Sequence, residues 1–418
     1  MSKSNKKHKR IYLDYSASVK PNPSSIHDEG ILAMKKLNQS RKKVSEILSS
    51  QPEEIIFTSG GTESNNLAIQ GLIWKVLELN SYHLIEELIH STSQSLNLIS
   101  KGKKELKYSL PHIITTNIEH PSILETVRML ARRKLVDVSI IPVEGNGIVD
   151  VKKIVNEINE NTVLISVMYA NNEIGTIQPI KETAKQIRHW RKVHNLNNNF
   201  PVFHTDAIQA VNYLDLNVEK LGVDMLSISG SKISNAGRVG VLYKKKSVPF
   251  SPMFGGGEQE HGLRPGTEDL EGILKFTKSF QKTQLEKEKE TRRLVLLRDY
   301  FLAKIKKIIP EVIINGDLKN RLPNNVNITI PKIPSDLLVI ELSAKGIMIS
   351  EKSACKSGDK KMSSVIEAIR RKGNKSFYKE DFFGSLRFSF GANTKRYDID
   401  YTIKSLSSIY IKLRKWYY

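Results

Sequence analysis

Cysteine is almost missing from this chain: Cys355 is the only one in 418 residues. A single thiol excludes an intrachain disulfide and a clustered-thiolate metal site, and no metal is expected. Also missing is any apolar run near the roughly 20 residues that a membrane-spanning helix needs. Residues 1–10 are basic but lack the apolar core of a secretory signal. The expectation is a cytoplasmic protein with no membrane contact. No internal repeat and no RNA-binding module is visible. Acidic residues are the scarcer charge, 44 against 65 basic ones, leaving a formal net charge of +21.

What is present fits an ordinary globular chain, with 39% apolar and 26% charged residues. The length is enough to bury a sizeable core and to divide into two lobes. The positive charge is spread along the chain, with small excesses at residues 3–10 and 101–107. A basic chain attracts polyanions through its field alone. A lysine-rich solvated surface is the simpler account, and a weak contact with nucleic acid such as tRNA, or with an acidic protein, stays open.

Short runs rich in Ile and Val fall at residues 54–57, 112–116, 136–141, 163–168, 202–204, 225–229 and 239–243. Helical spacing lies between several of them, as at 121–133 and 180–193. Short buried strands alternating with helices predict a mostly parallel sheet covered on both faces. A long helix is expected over 268–308. Shorter elements at 326–330, 335–342 and 385–390 then suggest a smaller α/β lobe. Residues 75–110 mix Ser, Lys and Leu and read as a surface insertion with weak helical spacing near 84–89.

Four segments carry candidate chemistry. Phe57-Thr58-Ser59-Gly60-Gly61-Thr62-Glu63-Ser64-Asn65-Asn66 joins a strand to a helix. Small residues there let backbone N–H groups approach an anion, and the helix adds its positive end. Most such turns are structural. In Val202-Phe203-His204-Thr205-Asp206-Ala207-Ile208-Gln209 an acidic group leaves a buried strand end. That is costly without a partner; a protonated ring nitrogen would serve, although a helix cap is the plainer role. In Ser227-Ile228-Ser229-Gly230-Ser231-Lys232 a strand edge delivers a lysine among hydroxyls, a placement suited to Schiff-base chemistry. The lone Cys355 sits in Ser353-Ala354-Cys355-Lys356-Ser357-Gly358-Asp359-Lys360-Lys361, polar and cationic, where positive charge enriches the thiolate.

Taken in order, these segments resemble the cysteine desulfurases of the NifS and IscS type. They are a branch of the class V aminotransferases among fold type I pyridoxal-phosphate (PLP) enzymes. The resemblance runs from Ile11-Tyr12-Leu13-Asp14-Tyr15-Ser16-Ala17 through Ser59 to Ser64, Glu119-His120, Asn171-Asn172-Glu173-Ile174-Gly175 and His204 to Asp206. It continues through Ser229 to Lys232, Leu263-Arg264-Pro265-Gly266-Thr267 and Ser353-Ala354-Cys355, and ends at Arg387-Phe388-Ser389.

The resemblance implies an α/β fold with a mostly parallel large PLP-binding domain, residues 16–265, carrying the insertion at about 78–110. Residues 266–418 with 1–15 would form a smaller α/β domain bearing the Cys355 loop. It implies that Lys232 holds pyridoxal 5′-phosphate and moves the substrate's Cα proton. Asp206 would face the ring nitrogen, Gln209 the phenolic oxygen, and His120 would stack on the ring and assist proton transfer. Gly61, Thr62, Ser229 and Ser231 would hold the phosphate, with Thr267 reaching the phosphate of the neighbouring subunit in a homodimer. Asn172 would sit near substrate and phenolic oxygen, and Arg387 would grip the substrate carboxylate. Cys355 would then take the sulfur of L-cysteine as a persulfide, release alanine, and pass sulfur to an iron–sulfur scaffold or a tRNA-thiolation enzyme.

The chain departs from the family pattern in places. Ser231 stands where a histidine usually precedes the lysine, and Ser234-Asn235-Ala236-Gly237 follows where a Gly-Pro turn is common. Residues 17–25 omit a helix usual near the start, and 81–109 is longer than usual. Two rival readings stay open on the residues alone. One is another class V transaminase or lyase, which would not need Cys355. The other is a degenerate, non-enzymatic RNA-binding or scaffold paralogue.

Overall fold

The computed structural model describes residues 11–90, 109–194, 200–351, 363–370 and 384–418. Seven strands form the central sheet: β1 (Ile55–Thr58), β2 (His112–Thr116), β3 (Asp137–Ile141), β4 (Thr162–Ser166), β5 (Val202–Asp206), β6 (Met225–Ser229) and β7 (Gly240–Lys244). Their order is β1-β7-β6-β5-β4-β2-β3. Strands β2 to β6 pair in parallel, and β7 runs antiparallel to both β1 and β6. Every residue of β1, β2, β4, β5, β6 and β7 is buried, as expected of a sheet covered on both faces. Each of the seven strands lies on one of the Ile/Val runs.

Neighbouring residues feed opposite faces because the strand period is two. Ile56, Ile113, Leu164 and Val202 join one core, under α2 (Gly61–His90) and α3 (Pro121–Arg132). Phe57, Ile114, Ile165 and Phe203 join the other core. That face is covered by α1 (Asp28–Leu48) and by helices that follow later strands; α4 (Val151–Asn156), α5 (Ile180–Val193) and the short α6 (Val218–Leu221) contribute to it. Residues 75–90 continue α2, and 91–108 lie outside the described residues. In mid-sheet, His204 is wedged between the hydroxyls of Ser166 (2.9 Å) and Ser227 (3.0 Å) on the flanking strands. Burial pushes this imidazole down to about 3, so it stays neutral at ordinary pH.

A second sheet follows, of β8 (Ile313–Ile314), β9 (Asn325–Thr329) and β10 (Leu386–Ser389), all antiparallel in the order β10-β9-β8. Its core is Val326, Ile328, Leu386 and Phe388, closed by Phe301 and by residues of α10 (Arg396–Tyr417). Between the sheets runs α7 (Leu270–Ile308), capped by Asp269, whose carboxylate accepts Gly272 N–H at 3.0 Å. Phe276 and Phe280 at its start belong to the first core; Leu294, Phe301 and Ile305 belong to the second. Two shorter helices, α8 (Ser335–Ser343) and α9 (Ser364–Arg370), complete the α-helices of the described residues. Among the described residues no helix is long and apolar enough to cross a membrane.

The two sheets meet at the turn 171–175. Asn171 Oδ1 accepts the N–H groups of Glu173 (2.8 Å) and Ile174 (3.0 Å) and so closes the turn. Asn325 and Asn327 of β9 each donate to the Glu173 carbonyl at 3.1 Å. Gly175 has φ +71, and a Cβ there would lie 2.8 Å from the Asn325 Cβ. Only glycine permits both that backbone conformation and that approach.

One buried ion pair ties α1 to β1 and the residue-260 turn. Arg41 donates through Nη1 and Nη2 to the Glu260 carboxylate, both at 2.7 Å, and to the Ile55 carbonyl. Glu260 also accepts Phe57 N–H at 2.9 Å. The two side chains are 7% and 1% exposed. Removing one partner strands the other charge without water. Arg41→Ala should therefore lower unfolding stability by about 3–5 kcal/mol, read as a drop in the urea midpoint at unchanged slope.

Candidate active site

Ligands of parallel α/β sheets collect at the carboxyl ends of the strands. Here β1 ends in the turn that starts α2 at Gly61, β5 ends in Asp206, and β6 ends in Ser229 and runs on to Ser231 and Lys232. All of these line one cavity of about 1210 Å³. Thr62, Gln209 and His120 line it too. The second sheet supplies Arg387 from β10, and the junction turn supplies Asn172. Arg387 Nη1 donates to the Asn172 carbonyl at 3.2 Å, so the guanidinium is held against the same turn that seats its sheet.

Local geometry places each group. Asp206 is 4% exposed; its Oδ1 accepts Ile208 N–H at 2.9 Å, closing a turn and not capping a helix, since the next helix begins at Val218, and its Oδ2 accepts Asn65 Nδ2 at 2.7 Å. Burial raises its carboxyl above the ordinary value, while the hydrogen bonds from Ile208 N–H and Asn65 and the charge of Lys232 pull it back. The Ser229 and Ser231 hydroxyls lie 2.9 Å apart, and the Lys232 carbonyl accepts Asn212 Nδ2 at 2.6 Å. His120 is the N-cap of α3, with Pro121 at the first helical position. A Cβ added to Gly61 would fall 2.2 Å from Ile208 Cδ1 and 3.1 Å from Ser229 Cβ. Only a residue without a side chain lets the Ile208 and Ser229 side chains pack this close to the turn.

Two of the expected residues are not gathered there. Thr267 is exposed and is not among the cavity's lining residues. Cys355 lies outside the described residues, but both neighbours of its segment are held beside the cavity. Ser350 bridges to Arg387 through backbone bonds of 2.7 and 3.3 Å, and the Ser363 hydroxyl bonds the Glu173 carboxylate. Among the described residues no group of three or more His, Cys, Asp or Glu side chains could hold a metal ion.

The aminotransferase class-V family model matches residues 5–87 and 86–402. Cysteine desulfurase IscS of Dictyoglomus turgidum is 36% identical over 423 residues, covering 97% of this chain and 96% of that protein. Cysteine desulfurase IscS of Methanosarcina thermophila is 36% identical over 402 residues, covering 96% and 88%. A solved NifS-like protein superposes with a TM-score of 0.76 at 28% identity, covering 94% of this chain and 92% of that one. The chain belongs to the cysteine desulfurase family.

Cysteine desulfurases are pyridoxal-phosphate enzymes, and the cavity of this desulfurase fits that group. The buried Asp206 carboxylate suits a protonated ring nitrogen, which would offset its desolvation. The N-terminus of α2 at Gly61, with its positive end, and the Ser229 and Ser231 hydroxyls all line the cavity and suit a phosphate dianion. Lys232 lines the same cavity, and its amine would suit the aldehyde of that group.

Three residues around the site were given no role in the sequence reading. Asn65 and Ser122 are buried and bonded to each other at 2.9 Å, behind Asp206 and His120. Their spacing along the chain gives no signal of that contact. Glu119 is 3% exposed; one oxygen accepts Thr116 Oγ1 (2.6 Å) and Met168 N–H (2.9 Å), and the other has no partner among the described residues. Burial, with a smaller push from Asp206, raises its carboxyl to about 8. The folded desulfurase thus holds a proton on Glu119 between about pH 4.5 and 8, where the unfolded chain does not. Its contribution to stability is full below that window and is lost as pH rises through it. Glu119→Gln mimics the neutral acid, so its melting temperature should fall less than the wild type's between pH 5 and pH 8.

Proposed function

We propose that this protein takes sulfur from L-cysteine, releases alanine, and holds the sulfur as a persulfide on Cys355. The observation that carries this reading is the convergence of Lys232, Asp206 and Arg387 on one cavity whose rim also anchors the residues either side of the Cys355 segment. Bound in the cavity, pyridoxal phosphate supplies the electron sink that tolerates negative charge at the substrate's Cα. Arg387 binds the substrate carboxylate through its guanidinium fork, with Asn172 beside it. The Lys232 amine takes the Cα proton. Asp206 would keep a proton on the ring nitrogen, Gln209 would bond the phenolic oxygen, and Gly61, Thr62, Ser229 and Ser231 would hold the phosphate. The Cys355 thiolate attacks the substrate sulfur; the S–S bond forms as the Cβ–S bond breaks, its electron pair takes a proton at Cβ, and return of a proton to Cα gives alanine.

The same reading extends to assembly. A second copy would bring its own Thr267 to this cavity's phosphate. Ile11, Leu13, Val19 and Ile26 are 78%, 87%, 80% and 94% exposed, and Lys20 in the same stretch pairs with Glu271 just past Thr267. That apolar surface beside an exposed Thr267 favours a homodimer. Residues 16–265 form the cofactor domain and 266–418 with 1–15 the smaller one. The acceptor is an iron–sulfur scaffold or a tRNA-thiolation enzyme in the cytoplasm, and the charge of +21 gives at most weak nucleic-acid contact.

The test is alanine release from L-cysteine by purified, cofactor-loaded protein with a reductant. Wild type should turn over, and Cys355→Ala should lose roughly a thousandfold or more in steady state. Full turnover by that variant would replace this reading with a class V transaminase or lyase. Lys232→Ala should likewise abolish turnover with an unchanged circular dichroism spectrum; substantial activity would remove Lys232 from its role.

A further inference from the structure

His120 is both a wall of the cavity and the N-cap of α3. Its Nδ1 accepts the backbone N–H of Ser122 at 3.1 Å and lies 2.8 Å from the Ser122 hydroxyl. A backbone N–H can only donate, so Nδ1 presents its lone pair. The hydroxyl leads to the same assignment by a separate route. Asn65 Nδ2 donates one proton to Asp206 Oδ2 at 2.7 Å and the other to Ser122 Oγ at 2.9 Å. An ionised carboxylate can only accept, which orients the Asn65 amide. Ser122 Oγ, already accepting, then has its own proton to give, and Nδ1 stands within reach.

We propose that Asn65 and Ser122 are positioning residues that link Asp206 to His120 and hold the imidazole as its Nε2–H tautomer, a proton donor and not a base. The proposal rests on the desulfurase reading of the site. A neutral ring protonated at Nε2 has no lone pair on that nitrogen. A further proton could enter only at Nδ1, where an N–H and an O–H already point. Abstraction of the substrate's Cα proton therefore falls to Lys232 alone, and His120 acts by donation from Nε2. The arrangement also joins the residue facing the ring nitrogen to the residue on the ring's face. Its direction is set at the Asp206 end.

The proposal is tested on the full-length, cofactor-loaded protein labelled with 15N-histidine, with His120→Gln used to identify the His120 signals. Multiple-bond 1H–15N correlations should place the proton on Nε2 of His120 and none on Nδ1. In Ser122→Ala, kcat should fall about tenfold, the loss of one buried hydrogen bond, with KM for L-cysteine within about twofold. Ser122→Thr, which keeps the hydroxyl, should restore it. Asn65→Leu, which cuts the link to Asp206, should lower kcat to a similar extent. A proton on Nδ1 of the wild type, a doubly protonated ring, or a Ser122→Ala variant with wild-type kcat overturns the proposal. The tautomer is read without turnover. If the wild type makes no alanine while Nε2 carries the proton, the desulfurase reading fails and the tautomer assignment stands.

Discussion

Two side-chain amides closing on one carbonyl decide where the substrate end of the site is. Asn325 and Asn327 both donate to Glu173 O, and the adjoining Gly175 lets β9 come that close. This contact seats the second sheet on the carboxyl edge of the first. Because β10 pairs with β9, it also fixes Arg387 opposite Asn172. The Ser350 bridge to Arg387 and the Ser363 bond to Glu173 hang on the same contact. A cavity lined from residue 61 to residue 394 would otherwise have only its cofactor side.

That cofactor side is built by burying groups that dislike burial. Asp206 and Glu119 are carboxyls a few per cent exposed, and both are raised by desolvation. The protein treats them differently. Asp206 receives N–H donors from Ile208 and Asn65 and has the positive charge of Lys232 nearby, which favour its anion. Glu119 keeps one oxygen unpartnered among the described residues and is cheaper as the neutral acid. Two acids near each other thus serve as a charge and as a spacer. His204, held neutral between two serines, fills the sheet without adding a charge of its own.

The strands were legible because parallel strands buried on both faces read as unbroken Ile and Val runs, as at residues 112–116 and 162–166. The long helix showed in its charge and periodicity and spans Leu270–Ile308. Lys232, Asp206 and Arg387 were legible through the ordered series of motifs, and the structure brings all three to one cavity. The contacts that organise them were not. Asn65 meets Asp206 across 141 positions and Ser122 across 57, and Asn327 meets Glu173 across 154. Such pairs leave no periodicity, because each depends on two elements arriving at the same strand edge. The neutrality of Glu119 is equally hidden, since a glutamate before a histidine reads as ionised until its burial is known.

The helix α7 has a consequence for how the molecule comes apart. Its 39 residues span about 58 Å. Its first turns donate phenylalanines to one core and its later turns to the other. Neither core can shed its stretch of this rod without exposing the apolar groups it covers, and the backbone bonds of the rod run unbroken between them. Melting in one half thus removes support from the other, so the two sheets behave as one cooperative unit rather than as beads on a string.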